Sequence, residues 1–569
     1  MHGATVGLGV TAERDTPGPG HYLVVVAGPD TGRWTLLRPG AAVVVGRSVQ
    51  CDLALSDSLL SGRHLRVHLS SDGALVAEDL GSTNGTLLEG KALDGSKSLA
   101  PGEYLQVGTS ILTACEVTEA DRAPDRAPDG ASMPFQRHFR EAAEPLPGSL
   151  RAPRPPIGAS SSIGTSWLRS VAPLLGGLAF AVISGRWIFL LIVAISPIVF
   201  IVDNLRRKRA TERKEAEENA RYEQALDDLA ARYRQLTQAE LLRRRAQANP
   251  GGLAGLFGLV RHRRIWERSP NDADFGAVTV GLAEGRSDVK VEGDLPEERE
   301  LSPHLWCSPL VHSLVSDGPL SIVGPTSRAR AAARAMVLEL CSAHSPADVK
   351  LWVLTDEDAA ADWEAIRWLP HAFSDEHSAR VAANARTRAA LLSDLQRVVA
   401  NRSTRVRTPD AVVLPVHVLV VDGTELVAPE DLTEILAHGP AVGVTGITVD
   451  EREVPEGTTG RIGVGAYADV ASFSSRRQPA TTDVITFEIS AAQAEATARR
   501  LAGLRPVSGA GQGAPAGSTR LRTLLDVDNL DGAALAARWE RSSPTTSTLV
   551  GLDAGVPVYV DLAKDGPHG

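Results

Sequence analysis

The chain has 569 residues, with 59 Lys and Arg against 69 Asp and Glu and a formal charge of −10. At about 100–200 residues per domain this length excludes a single small module, and a composition of 43% hydrophobic and 22% charged residues excludes wholesale disorder. The acidic balance excludes a general nucleic-acid binder, whose phosphate affinity comes from clustered Lys and Arg. The four cysteines, Cys51, Cys115, Cys307 and Cys341, stand far apart without a CxxC pair. Neither a metal site nor a disulfide framework is therefore expected, and a reducing cytosol fits best.

Residues 21–117 alternate short apolar runs with Gly, Ser, Asp and Asn, as in HYLVVVAG, AVVVGR, HLRVHLS and SILTACEV, which predicts many short strands and a β-sandwich. Three connections carry more polar groups than turns need: Gly46-Arg47, Ser61-Gly62-Arg63-His64, and Gly81-Ser82-Thr83-Asn84-Gly85-Thr86. An arginine with hydroxyl and amide groups from several loops forms a charge-assisted cradle for a phosphate dianion. The ordered set GR, SxxH, DLGSTNGT and LAPGEYLQVG resembles the forkhead-associated (FHA) domain, a family that reads phosphothreonine peptides. Carried across by position, the resemblance implies that Arg47 and Ser61 hold the phosphate. Thr83 adds a backbone or hydroxyl contact, and Asn84 fixes the neighbouring peptide backbone. Arg63 and Ser82 complete the expected binding set, while Gly46, His64 and Gly85 are expected to be architectural.

Residues 118–166 are rich in Pro, Ala, Asp, Arg and Ser and read as a flexible linker. From Val171 to Val202 the chain is apolar apart from Ser184, Gly185 and Arg186. A single helix of that length exceeds the roughly 20 residues of one span, so a two-span transmembrane hairpin over 167–203 is expected, with Arg206, Arg207, Lys208 and Arg209 at its cytoplasmic end. Residues 204–248 are good helix formers. Tyr222, Leu226, Leu229, Tyr233 and Leu236 fall on one stripe, so this helix is either a stalk or an amphipathic helix packed on its own domain.

Over residues 262–502, LSIVG, KLWVLTD, PVHVLVVDG and AVGVTGITVD are strand-length apolar runs separated by helical stretches, which predicts an open, mostly parallel α/β sheet. A phosphate loop of the form GxxxxGK[ST] would be sought after the first of these strands. From Gly324 the chain reads Gly-Pro-Thr-Ser-Arg-Ala-Arg-Ala, so Ala329 replaces the second glycine, Arg330 the lysine and Ala331 the metal-binding hydroxyl. VLVVDG resembles a Walker B strand, with Asp422 at the metal position and Gly423 where a catalytic glutamate would stand. Gly324, Arg328, Arg330 and Asp422 thus mark a degenerate nucleotide site. Two readings stay open there: a plain strand-to-helix connection, or weak residual ATP binding through Arg328 and Arg330. Residues 503–520 read as a linker, and 521–569 as the start of a further ATPase module without its Walker A loop.

RIWERSPNDADFGAVTVG, HSPADVKLWVLTD, the block from Trp363 to His371 and VHVLVVDG resemble the FtsK/SpoIIIE-type motors of type VII secretion, the EccC/EssC family. The expected fold class is multidomain: an all-β FHA sandwich, a transmembrane hairpin with helical stalk, and a degenerate P-loop-like α/β domain. The resemblance implies a membrane-anchored, non-catalytic component or N-terminal part of such a motor, a multi-pass protein of the bacterial cell membrane with both termini cytoplasmic. Its expected partners are a phosphothreonine-containing protein, other secretion subunits, a separate ATPase chain and further copies of itself, with no nucleic acid and no cofactor. Alternatives are a stand-alone FHA signalling adaptor at the membrane and a weak ATPase.

Overall fold

The computed structural model describes residues 17–71, 73–122, 133–138, 140, 148–156, 182–183, 188–296, 299, 301–373, 379–403, 414–466, 471–506, 536, 547–553 and 556–561. They fall into two units. The larger contains the sandwich, the α/β sheet and the chain that joins them.

In the sandwich, β1 (Gly20–Ala27), β2 (Trp34–Leu37), β7 (Thr86–Leu88), β8 (Lys91–Ala92), β10 (Tyr104–Val107) and β11 (Ser110–Val117) form one sheet in the order β2-β1-β11-β10-β7-β8. The other sheet takes β3 (Ala42–Gly46), β4 (Leu53–Ala54), β5 (Leu65–Leu69), β6 (Leu75–Asp79) and β9 (Ser96–Ser98) in the order β4-β3-β5-β6-β9. Residues alternate between buried and half-buried along β5, as expected of a strand with one face on the core. The last six residues of β1 are all buried, because its second face is covered as well.

The cover is a glycine-rich helix. The long helix α1 (Ile188–Ala248) is followed by α2 (Gly251–Val260), whose Leu256 and Val260 pack on Tyr22, Val24 and Val117 of the sandwich. Gly252 makes this approach possible: a Cβ there would lie 2.1 Å from the Val25 carbonyl oxygen. Main-chain bonds extend the joint, with Gly28 N–H donating to the Thr486 carbonyl at 2.9 Å and Glu488 N–H to Thr31 Oγ1 at 3.1 Å. Val26, Ala27, Tyr104 and Ile111 belong to the same buried cluster as Ile322, Val353 and Val420 of the α/β sheet.

That sheet has eight strands. They are β12 (Leu320–Val323), β13 (Val349–Leu354), β14 (Val381–Ala382), β15 (Val416–Asp422), β16 (Val444–Asp450), β17 (Gly460–Val464), β18 (Ala471–Ser475) and β19 (Thr481–Val484). The order is β14-β13-β15-β16-β12-β17-β18-β19, parallel from β14 to β17 and antiparallel for the last two pairings. Every residue of β15 is buried, as expected of a strand covered on both faces. Helix α3 (Thr326–Ala343) follows β12 directly. Because the chain leaves β12 toward one side and returns on the other, the carboxyl ends of β12, β15 and β16 open on one crevice.

The second unit takes residues 145–240 and 286–304. Of the stripe read in the sequence, Leu226, Leu229 and Tyr233 are buried and Tyr222 and Leu236 half-buried. Arg299 pairs with Glu223 at 2.8 Å and with Asp227, and strand Ser149–Arg151 runs parallel to Lys290–Glu292.

The transmembrane hairpin expected over 167–203 is overturned, and with it the multi-pass membrane location with both termini cytoplasmic. Among the described residues no helix is long and apolar enough to cross a membrane. Most of the first arm and the Ser184–Arg186 turn lie outside the described residues. The second arm is one end of α1, which runs unbroken into charged sequence from Asp203 onward. Its apolar part, from Ile188 to Val202, rises only about 22 Å at 1.5 Å per residue, short of a hydrocarbon core of about 30 Å. Much of the expected linkers at 118–166 and 503–520 and of the segment 521–569 lies outside the described residues; within them, Met133–Phe135 runs parallel to Leu504–Pro506 with Met133 and Phe135 buried, and Ser547–Asp553 is antiparallel to Val556–Asp561.

Candidate functional site

At one end of the sandwich the three polar loops are tied to one another by hydrogen bonds. Arg47 N–H donates to the Ser61 carbonyl at 2.9 Å and Ser48 N–H to the Gly62 carbonyl at 3.0 Å, which zips the loop after β3 to the loop before β5. The zipper needs Gly46, since a Cβ there would fall 2.4 Å from the Gly62 oxygen. Ser61 Oγ accepts from Thr83 N–H at 3.0 Å and lies 3.4 Å from Thr83 Oγ1, and Asn84 Nδ2 donates to the Leu59 carbonyl at 2.8 Å. Arg47, Arg63, Thr83 and Asn84 are exposed on this face. Among the described residues neither guanidinium has an ion-pair partner.

Beneath them His64 is fully buried. Its Nδ1 accepts from Ser61 N–H at 3.2 Å, which leaves Nε2 to donate to the Gly85 carbonyl at 3.2 Å. The histidine thus pins the Ser61 loop to the Asn84-Gly85 turn, where Gly85 has φ +75°. Ser82 is turned inward: its hydroxyl donates to Asp79 Oδ2 and its N–H to Asp79 Oδ1, both at 2.8 Å. Asp79, which the sequence reading passed over, also accepts from Gly81 N–H at 2.9 Å and Thr86 Oγ1 at 2.5 Å. Burial pushes its carboxyl up, but the donors from Thr86 and Ser82 outweigh this and hold it below the usual carboxylate range. The signal was present in the sequence, because an Asp with Gly-Ser two and three residues on, here Asp79, Gly81 and Ser82, is the pattern of a side chain capping its own turn. Asp57 does similar work at the far end of its loop, accepting from Thr109 N–H and Oγ1 at 2.8 Å and from Ser110 Oγ at 2.9 Å.

The second constellation lies at the carboxyl ends of the parallel strands. Strand β12 ends at Val323 and α3 begins at Thr326, so Gly324 and Pro325 are the whole connection. Gly324 packs against β17, where a Cβ would lie 2.1 Å from the Val464 oxygen. Arg330 Nε donates to Asp422 Oδ1 at 3.0 Å and to Oδ2 at 2.9 Å. Asp422 is 2% exposed and also accepts from Trp363 Nε1 at 2.7 Å and Thr355 Oγ1 at 3.2 Å. Arg328 points elsewhere, to Glu488 at 3.0 Å and to the Gly465 carbonyl. The structure therefore brings Arg330 and Asp422 together, 92 positions apart in the chain, and does not bring Arg328 to them. Trp363 and Thr355 complete the cluster from the other side; the tryptophan falls in a block the sequence singled out, without any sign of its partner. Among the described residues no group of His, Cys, Asp and Glu is suited to hold a metal ion.

Fold and loop geometry together define the N-terminal domain as an FHA domain. Residues 24–118 match the family model described as the cytoplasmic domain of the inner membrane component of T3SS. An FHA domain-containing protein of Arabidopsis thaliana is 42% identical over 99 residues, 16% of this chain and 25% of that one. The longer matches identify the chain's relatives as EccC/EssC proteins of type VII secretion systems. An ESX secretion system protein EccC from Thermomonospora curvata is 28% identical over 355 residues, 55% of this chain and 26% of that one. The type VII secretion system protein EssC of Staphylococcus aureus is 22% identical over 531 residues, 85% of this chain and 35% of that one. The chain thus spans between a quarter and about a third of the length of these two secretion proteins.

Proposed function

We propose that this chain is a non-catalytic component of a type VII secretion machine, in which the FHA domain holds a phosphothreonine-containing protein beside a pseudo-ATPase platform. Arg47 supplies the charge for the phosphate, Ser61 and Thr83 its hydroxyl and N–H contacts, and Asn84 a grip on the peptide backbone next to it. Arg63 adds positive potential at the rim. The observation that carries the reading is the hydrogen-bonded junction of three loops beneath an exposed Arg47 that has no ion-pair partner among the described residues. Such a junction fixes the loops in advance, so a phosphate dianion meets charge-assisted bonds at a smaller ordering cost. The secretion role rests on the EccC and EssC relatives. On that reading the further partners are other secretion subunits, a separate ATPase chain and additional copies of this one.

The test is a titration of full-length protein with a library of phosphothreonine peptides, comparing wild type with Arg47→Ala. Loss of a charge-assisted contact, worth about 1.5–3 kcal/mol, is expected to weaken the selected peptide about 10- to 150-fold. Equal affinities for the two proteins would count against the site, as would equal affinity for the unphosphorylated peptide.

A further inference from the structure

An ATPase-like fold implies a magnesium nucleotide in the crevice outside β12, β15 and β16, and the residues present do not fit one. A phosphate loop wraps the polyphosphate in successive backbone N–H groups. Here the connection is two residues long; Gly324 N–H is already given to the Asp450 carbonyl at 3.1 Å, and Pro325 has no N–H to give. The first hydroxyl of α3, that of Thr326, donates to Glu451 at 2.8 Å.

The carboxylate at the metal position is already engaged by three donor hydrogens, the single Nε–H of Arg330 being shared between its oxygens. It has about four lone-pair sites, and Asp422 receives Arg330 Nε on both oxygens, with Trp363 Nε1 and Thr355 Oγ1 on Oδ2. A magnesium ion needs an oxygen at about 2.0–2.1 Å, and on either oxygen it would have to displace the guanidinium of Arg330. Arg330 is held from its other side too, its Nη1 lying 3.5 Å from Asp362, which accepts from Arg334 Nη1 at 2.9 Å. The rest of the crevice, a cleft of about 480 Å³, is lined by Asp356, Glu425, Asp450, Glu451 and Glu453, with Arg452 as its one other basic group. A polyphosphate entering it meets like charge.

We infer that Arg330 is the resident occupant of this crevice, an internal cation that takes the place of a bound metal and nucleotide and holds the α/β domain in one nucleotide-independent arrangement. The inference rests on the non-catalytic reading above and deepens it. Of the two readings that the sequence left open at Gly324, it favours the connection that binds no nucleotide. Removing Arg330 leaves Asp422 as a buried charge that has lost the countercharge of Arg330, the situation in which breaking an ion pair is most damaging.

The experiment follows the thermal unfolding midpoint of the full chain with and without millimolar magnesium-ATP, for wild type, Arg330→Ala, Arg330→Lys and the double variant Arg330→Ala/Asp422→Asn. The wild-type midpoint is expected to stay where it is when nucleotide is added. Arg330→Ala is expected to lower the midpoint, Arg330→Lys to lower it less, and the double variant to recover part of the loss. A wild-type midpoint that rises with magnesium-ATP overturns the inference, because a ligand that binds the native state must stabilise it. So does an Arg330→Ala protein as stable as wild type. Should Arg330→Ala fail to fold at all, the wild-type titration and the Arg330→Lys comparison still decide. Turnover of ATP by wild type would sink the non-catalytic reading itself, whereas binding without turnover would remove only the internal occupant.

Discussion

His64 illustrates how one buried side chain sets the geometry of an exposed face. It accepts from Ser61 N–H and donates to the Gly85 carbonyl, so replacing it leaves a donor and an acceptor without partners on two different loops. His64→Ala is expected to destabilise the sandwich by about 2–4 kcal/mol, and to weaken phosphopeptide binding although the residue touches no ligand. Chemical denaturation and the peptide titration, run on the same preparation, measure the two effects; a stable variant with wild-type affinity would remove His64 from the architecture. At this scale the FHA face was legible in the sequence, because Arg47, Ser61, Thr83 and Asn84 exceed what turns require and keep a fixed order. Ser82 shows the limit: a hydroxyl among the exposed polar residues of these loops looks like one of them, and only its bond to Asp79 reveals that it faces inward. The Arg330–Asp422 pair was harder still, since nothing in either local sequence announces a partner 92 residues away.

Among the elements, α2 and β1 carry the joint between sandwich and α/β sheet. A methyl group at position 252 would meet the Val25 oxygen, which belongs to a strand and has little room to move. Gly252→Ala is therefore expected to cost about 1–3 kcal/mol and to loosen the joint, so that amides of Val24–Ala27 exchange faster while the α/β strands keep their protection. Unchanged exchange in β1 would show that the contact is not what holds the sandwich in place. The strands themselves were legible: LSIVG, PVHVLVVDG and AVGVTGITVD contain β12, β15 and β16, and KLWVLTD all of β13 but Val349, because buried parallel strands are continuous apolar runs. The antiparallel pair β18 and β19 was not foreseen, being short and rich in Ser and Thr. The membrane hairpin failed for a related reason. An apolar run says that a segment avoids water, and only the continuation of α1 into charged sequence shows that its apolar part is too short to span a bilayer.

Across the whole molecule, a set of buried neutral histidines governs the response to acid. His344 accepts from Gly276 N–H at 2.9 Å through Nε2, which leaves Nδ1 to donate to the Leu340 carbonyl at 2.9 Å. Protonation would set one N–H against another. Burial pushes His344 down to about 3 and His371 to about 4. The unfolded chain therefore binds more protons than the folded one between the ordinary histidine value of about 6.5 and those values, so stability is lost as the pH falls through that window. Buried Glu339, pushed up to about 7 by burial, acts in the opposite sense, its contribution being lost as the pH rises toward 7. Two histidines outweigh one glutamate, and acidification from pH 6.5 to about 4 is expected to cost on the order of several kcal/mol. A melting temperature that holds steady across that range would contradict this assignment.

The central claim is that the chain recognises a phosphorylated partner through its FHA loops and has no use for nucleotide. One calorimetric titration of the full-length protein tests it most directly: magnesium-ATP is injected first, and a selected phosphothreonine peptide into the same cell afterwards. No binding heat from the nucleotide, followed by a saturable isotherm from the peptide, is the expected result. A nucleotide isotherm, or a peptide that gives none, would contradict the claim.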